Sequence, residues 1–112
     1  MEITRVKPES LLDSPVERYA ITTAPAHNLA KIEVESFRVA AWALFKDGDG
    51  ERAREVLAIQ SDEGEIYRTI SSTFKKSFIN IVDNFVEYPL VAVVHGTSKN
   101  GRDFIDCVLV GE

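Results

Sequence analysis

Arg38, Trp42 and Lys46 stand four residues apart in a stretch that alternates like a β-strand, so they fall in a row on one face. An indole between two cations suits single-stranded nucleic acid, because bases stack on the ring and cations track the phosphates. More cations gather at two expected hairpin tips. Arg52 and Arg54 border the first, and Lys99 and Arg102 flank the second, with Phe104 just beyond. Tyr67 and Arg68 lie on the short strand expected before the main helix. Acidic residues collect elsewhere, in Glu9 to Glu17, at Glu33 and Glu35, and in Asp83 to Glu87. The plainer reading is that tip cations are ordinary solvated residues and that a lone strand tryptophan belongs to the core.

Other chemistries are less well supported. His27 and His95 are the only histidines, and with Cys107 and Asp103 they supply the residue types of a Cys/His nucleophile. No spacing ties them together, and a mid-strand cysteine behaves as a small core residue. Asp47-Gly48-Asp49-Gly50-Glu51 begins like a calcium loop but lacks the later ligands and the helical flanks. No pair of ligand types has zinc-site spacing. Neither G-x-x-x-x-G-K-[ST] nor G-x-G-x-x-G occurs. We expect no catalytic residue, no metal and no cofactor.

The elements that must position these residues are most legible from Glu65 to Val110. Phe74, Phe78, Ile81, Val82 and Phe85 recur at the spacing of one helical face, which predicts a helix from Ser72 to about Glu87. Ser71 or Ser72 caps its start, and Tyr88-Pro89 ends it. Leu90 to His95 is a β-branched run, and Asp103 to Val110 is its partner. Asn100-Gly101 between them predicts a two-residue hairpin turn with positive φ at both positions. Upstream, Phe37 to Lys46, Arg54 to Gln60 and Glu65 to Ile70 read as strands. The first should turn Phe37, Val39, Ala41, Ala43 and Phe45 inward. Val16 to Thr23 also alternates and reads as a strand, after a turn-rich lead-in from Met1 to Val16. Lys31 to Glu35 either continues that strand or begins the next. The expected fold is mainly β, a five-stranded OB-like barrel with one helix between strands 3 and 4. The alternative is an open α+β sheet with one packed helix.

The chain has 112 residues and is 45% apolar, so residues 1–112 suit a single domain. It lacks the run of about 18 apolar residues that a membrane helix needs. The first residues have no basic-then-apolar pattern, so we expect no signal peptide and a cytoplasmic protein. One unpartnered cysteine fits a reducing compartment. The net charge of −5, from 13 basic and 18 acidic residues, counts against a nucleic-acid partner. Local clustering can still lay a basic track on an acidic protein.

Glu65-Ile66-Tyr67-Arg68-Thr69-Ile70-Ser71-Ser72-Thr73-Phe74, a helix ending near Phe85, and then Pro89 through Ser98-Lys99-Asn100-Gly101-Arg102-Asp103-Phe104 together resemble a known pattern. It is the carboxy-terminal half of small single-stranded DNA-binding proteins encoded by bacteriophages. There a strand, a Ser-rich cap, a helix, a strand and a Ser-Lys-x-Gly-Arg-x-Phe hairpin follow in that order. Before Glu65 the likeness extends only to strand order and length. The resemblance implies an OB-fold that coats single-stranded DNA in phage replication or recombination, in the host cytoplasm. It implies replication or recombination proteins as further partners, and a homo-oligomer is open. By motif position, Lys99, Arg102 and Phe104 are its backbone and base contacts. The competing reading is an acidic accessory or inhibitor protein that binds a host protein.

Overall fold

The computed structural model describes residues 1–111. The elements run β1 (Glu2–Lys7), a 3-10 turn (Glu9–Asp13), α1 (Pro15–Thr22), β2 (His27–Asn28), β3 (Ser36–Asp47), a second 3-10 turn (Gly50–Arg52), β4 (Arg54–Ser61), β5 (Ile66–Thr69), α2 (Ser72–Asn84), β6 (Leu90–Thr97) and β7 (Asp103–Gly111). The protein is mainly β, a seven-stranded sheet curled into half a barrel with two helices. Hydrogen-bonded neighbours follow the order β2-β5-β4-β3-β6-β7, and β1 joins β3. Among the described residues no ladder joins the two ends of this path, so the sheet stays open. No described helix is long and apolar enough to cross a membrane.

Strand β3 is shared by both halves of the sheet. Ser36 to Arg38 pair with β6, Val39 to Asp47 with β4, and Trp42 to Lys46 with β1. A bulge interrupts it: Val39 pairs with Ser61 and Ala41 with Gln60, leaving Ala40 as the extra residue. One extra residue moves every later side chain to the opposite face. Phe37 and Val39 therefore share the main core with Trp42 and Leu44. Ala41, Ala43 and Phe45 turn to the other side. The expected single inward face, Phe37 through Phe45, is split in two.

The main core lies between the sheet and α2. Ser71 caps α2, its Oγ accepting from the Phe74 N–H at 3.2 Å. Phe74, Phe78, Ile81 and Val82 are buried against Val91, Val93, Ile105 and Cys107. Each such side chain contributes about 1.5–3 kcal/mol. The helix ends at Asn84, earlier than expected, and leaves Phe85 69% exposed.

The amino-terminal third departs most from expectation. Val16 to Thr23 is not a strand: residues Pro15–Thr22 form α1. Ser14 accepts from the Glu17 N–H, and Pro15 occupies the first helical turn, where its missing N–H costs nothing. The lead-in contains β1. Lys31 to Glu35 is a loop, although Ile32 and Val34 pack against the main core. Val6, Leu11 and Ile21 from this third cover Ala41, Ala43, Phe45 and Ala58 in a second, smaller core. The sheet is therefore covered on both sides, by α2 on one and by the amino-terminal segment on the other. Arg5 ties the two together, donating to Asp83 of α2 at 2.7 and 3.2 Å. That hydrogen bonding holds the Asp83 carboxyl below its ordinary value. The contact therefore contributes above the ordinary carboxylate range and is lost as pH falls through the depressed value.

Candidate nucleic-acid interface

The β6–β7 hairpin gathers the best-placed candidates. Its tip is closed by Ser98, whose N–H donates to the Arg102 carbonyl at 2.8 Å and whose Oγ accepts from the Arg102 N–H at 3.2 Å. Gly101 N–H donates to the Ser98 carbonyl at 2.9 Å, with φ of +77°. Among the described residues no non-glycine residue has positive φ, so Asn100 does not adopt the expected two-residue turn. A three-residue loop, Lys99 to Gly101, closed by a left-handed glycine takes its place. It holds Lys99 and Arg102 out in solvent, and among the described residues neither makes an ion pair.

Phe104 stands beside them, 38% exposed and paired across the hairpin with Gly96. The ring lies over the glycine: a Cβ on Gly96 would come within 2.5 Å of it. Phe104, His95, Asp103 and Ala30 line both of two adjoining open grooves. One, of about 880 Å³, runs between the 30–35 loop and β6. The other, of about 450 Å³, lies between the Thr69–Thr73 segment and the start of β7. Lys31, Glu33 and Glu35 stand on the loop wall, and exposed Ile70 stands in the second groove. No local pattern in the sequence marks His95, Lys31 and Ile70 for this site. Only the register of β6 against β7 and the path of the loop bring them to Phe104.

The remaining candidates lie elsewhere. Trp42 is 1% exposed and offers no stacking face. The Phe78 ring meets it edge-on at 5.4 Å, the Arg5 guanidinium lies 5.3 Å from its centroid, and among the described residues its indole N–H has no hydrogen-bond partner. The bulge at Ala40 is the cause, since it turns Trp42 away from the face of Arg38. Tyr67 is 8% exposed and stacks on Phe37 at 4.6 Å; burial, then Glu65 and Glu63, push its hydroxyl pKa up. Arg38 is half-buried and donates to the Tyr88 carbonyl at 3.3 Å. Arg68 is committed to structure, donating to the Ile21 and Ala20 carbonyls at the end of α1. Lys46, Arg52 and Arg54 are exposed at the β3–β4 hairpin. From the β3–β6 ladder, β3 runs toward that hairpin and antiparallel β6 runs away from it. The two cationic tips therefore stand at opposite ends of the sheet, not on one track.

Of the Cys/His nucleophile types, His95 and Asp103 line the same two grooves, and Cys107 and His27 do not. Cys107 is buried, and desolvation, then Asp106, push its thiol up to about 12. His27 is held 2.8 Å from Glu65 on the surface. Among the described residues no three His, Cys, Asp or Glu side chains are grouped to hold a metal. No protein-family model, curated protein or solved structure matches the chain.

Proposed function

We propose that this chain is a non-catalytic, sequence-tolerant single-stranded DNA-binding module of the OB kind, serving phage replication or recombination in the host cytoplasm. The observation that carries the reading is the pair of cations Lys99 and Arg102, without an ion pair among the described residues, beside exposed Phe104 on the last hairpin. Strand order supports it. β3, β4 and β5 pair in sequence, α2 follows, and β6 returns to β3 with β7 beside it. That succession supports the OB reading, in which the last hairpin loop reaches the ligand. The outer face of β4, a usual OB ligand surface, is covered at Ala58 by the amino-terminal segment. The DNA path in this reading therefore runs along the β6–β7 hairpin and the facing 30–35 loop.

The test is fluorescence anisotropy of labelled oligo-dT at low salt. Binding competed by unlabelled single strands and weakened steeply by salt is the expected result, because phosphate contacts release counterions. No anisotropy change at low salt rejects the reading. The second reading, an acidic protein that binds a host protein, is favoured by the net charge of −5. Absent DNA affinity together with saturable binding to a purified host protein selects it.

A further inference from the structure

We infer that the end of β7 is a docking edge for a second copy of this chain, forming an antiparallel β7–β7 pair across a twofold axis near Leu109. β7 ends the sheet path, and its outer edge is protected along only part of its length. The Ile105 carbonyl accepts from Ser71 Oγ at 3.5 Å, and the Cys107 N–H donates to the Asp106 carboxylate at 2.8 Å. Asp106 is itself held by Ser77 of α2. Backbone groups alternate in direction along an antiparallel strand, so Leu109, two residues beyond Cys107, turns the same way. Among the described residues nothing outside the sheet bonds its amide.

The side chains there are also open. Val108, Leu109 and Val110 are 41%, 38% and 54% exposed, the last at a register shift between the Leu90 and Val91 pairs. Edges of lone proteins are usually guarded by lysine, proline or an inward charge. Cys107 to Gly111 contains none of these.

A second copy fits this edge for two reasons. The run Val108-Leu109-Val110 reads the same in both directions, so a twofold axis at Leu109 sets Leu109 against Leu109 and each Val108 against a Val110. Each chain also carries a net charge of −5, so two copies meet with least repulsion across an uncharged run. So short a pairing covers less than the roughly 800 Å² per partner of a standard interface, which makes the dimer reversible on dilution.

The experiment needs no DNA, so its outcome is independent of the nucleic-acid reading. Sedimentation velocity over a dilution series should move the full chain from dimer to monomer. Leu109→Lys should be monomeric throughout with an unchanged thermal melt, and Val110→Lys serves if that variant does not fold. Under mild oxidation Leu109→Cys should form a dimeric disulfide, because paired antiparallel residues lie about 5.5 Å apart at Cα, within disulfide reach. Val16→Cys, at a position 78% exposed on α1, should not. A chain that stays monomeric at every concentration overturns the proposal. So does a dimer that survives both lysine substitutions, or equal cross-linking of the two cysteine variants.

Discussion

Replacing Lys99 and Arg102 together by alanine is expected to weaken oligo-dT binding on the order of fiftyfold at ~0.05 M salt, and to flatten its salt dependence. Each phosphate neutralised on a single strand contributes about 0.7 to the slope of log affinity against log salt, so two lost contacts lower it by about 1.4. The tip is a turn closed through backbone and Ser98 atoms, so truncating two exposed side chains leaves its geometry alone. Alanine at both Arg52 and Arg54 is the control. Those residues occupy the opposite end of the sheet, and their loss should change affinity by less than about twofold after correction for net charge. Salt titrations of the two double variants make the comparison. Equal losses from both would mean that DNA spans the whole sheet.

The second large effect is on stability. Trp42→Ala should cost about 3–5 kcal/mol, the range for removing a large aromatic from a packed core. Trp42 is 1% exposed between Phe78 and the Arg5 guanidinium, and the cavity would open beneath the contact that ties β1 to α2. For a domain of ordinary stability, roughly 5–15 kcal/mol, that is a large share of the total. Trp42→Phe should be far milder. It loses volume but also removes a buried N–H that has no partner among the described residues, whose burial costs about 1–3 kcal/mol. Denaturant melts of the two variants measure the difference. Folded Trp42→Phe should bind oligo-dT like the parent, and the parent's tryptophan emission should not be quenched by DNA. Quenching would mean that the indole reaches a base.

The regions readable from sequence were those with a strong local period. Phe74, Phe78, Ile81 and Val82 announce α2, and the β-branched run from Leu90 announces β6. The bulge at Ala40 left no such mark. Nothing in Phe37 to Lys46 shows where the alternation slips, yet that slip decides whether Trp42 is a platform or part of the core. The amino-terminal third misleads for a related reason. In Val16 to Thr23 the alternation sets no consistently apolar side against a polar one, whereas Ser14-Pro15 is a helix start. At the hairpin tip, Asn100-Gly101 marks the turn correctly but not its type. Lys99, Arg102 and Phe104 come together because a hairpin is local. The 30–35 loop and Ile70 reach Phe104 only through tertiary packing.

The most direct measurement is amide chemical-shift mapping of the isotope-labelled chain during titration with oligo-dT. Large shifts are expected from His95 to Phe104 and in residues 30–33, with little change at Trp42 or from Asp47 to Arg54. Shifts centred on the β3–β4 hairpin, or no shifts at saturating oligonucleotide, would contradict a DNA site built on the last hairpin.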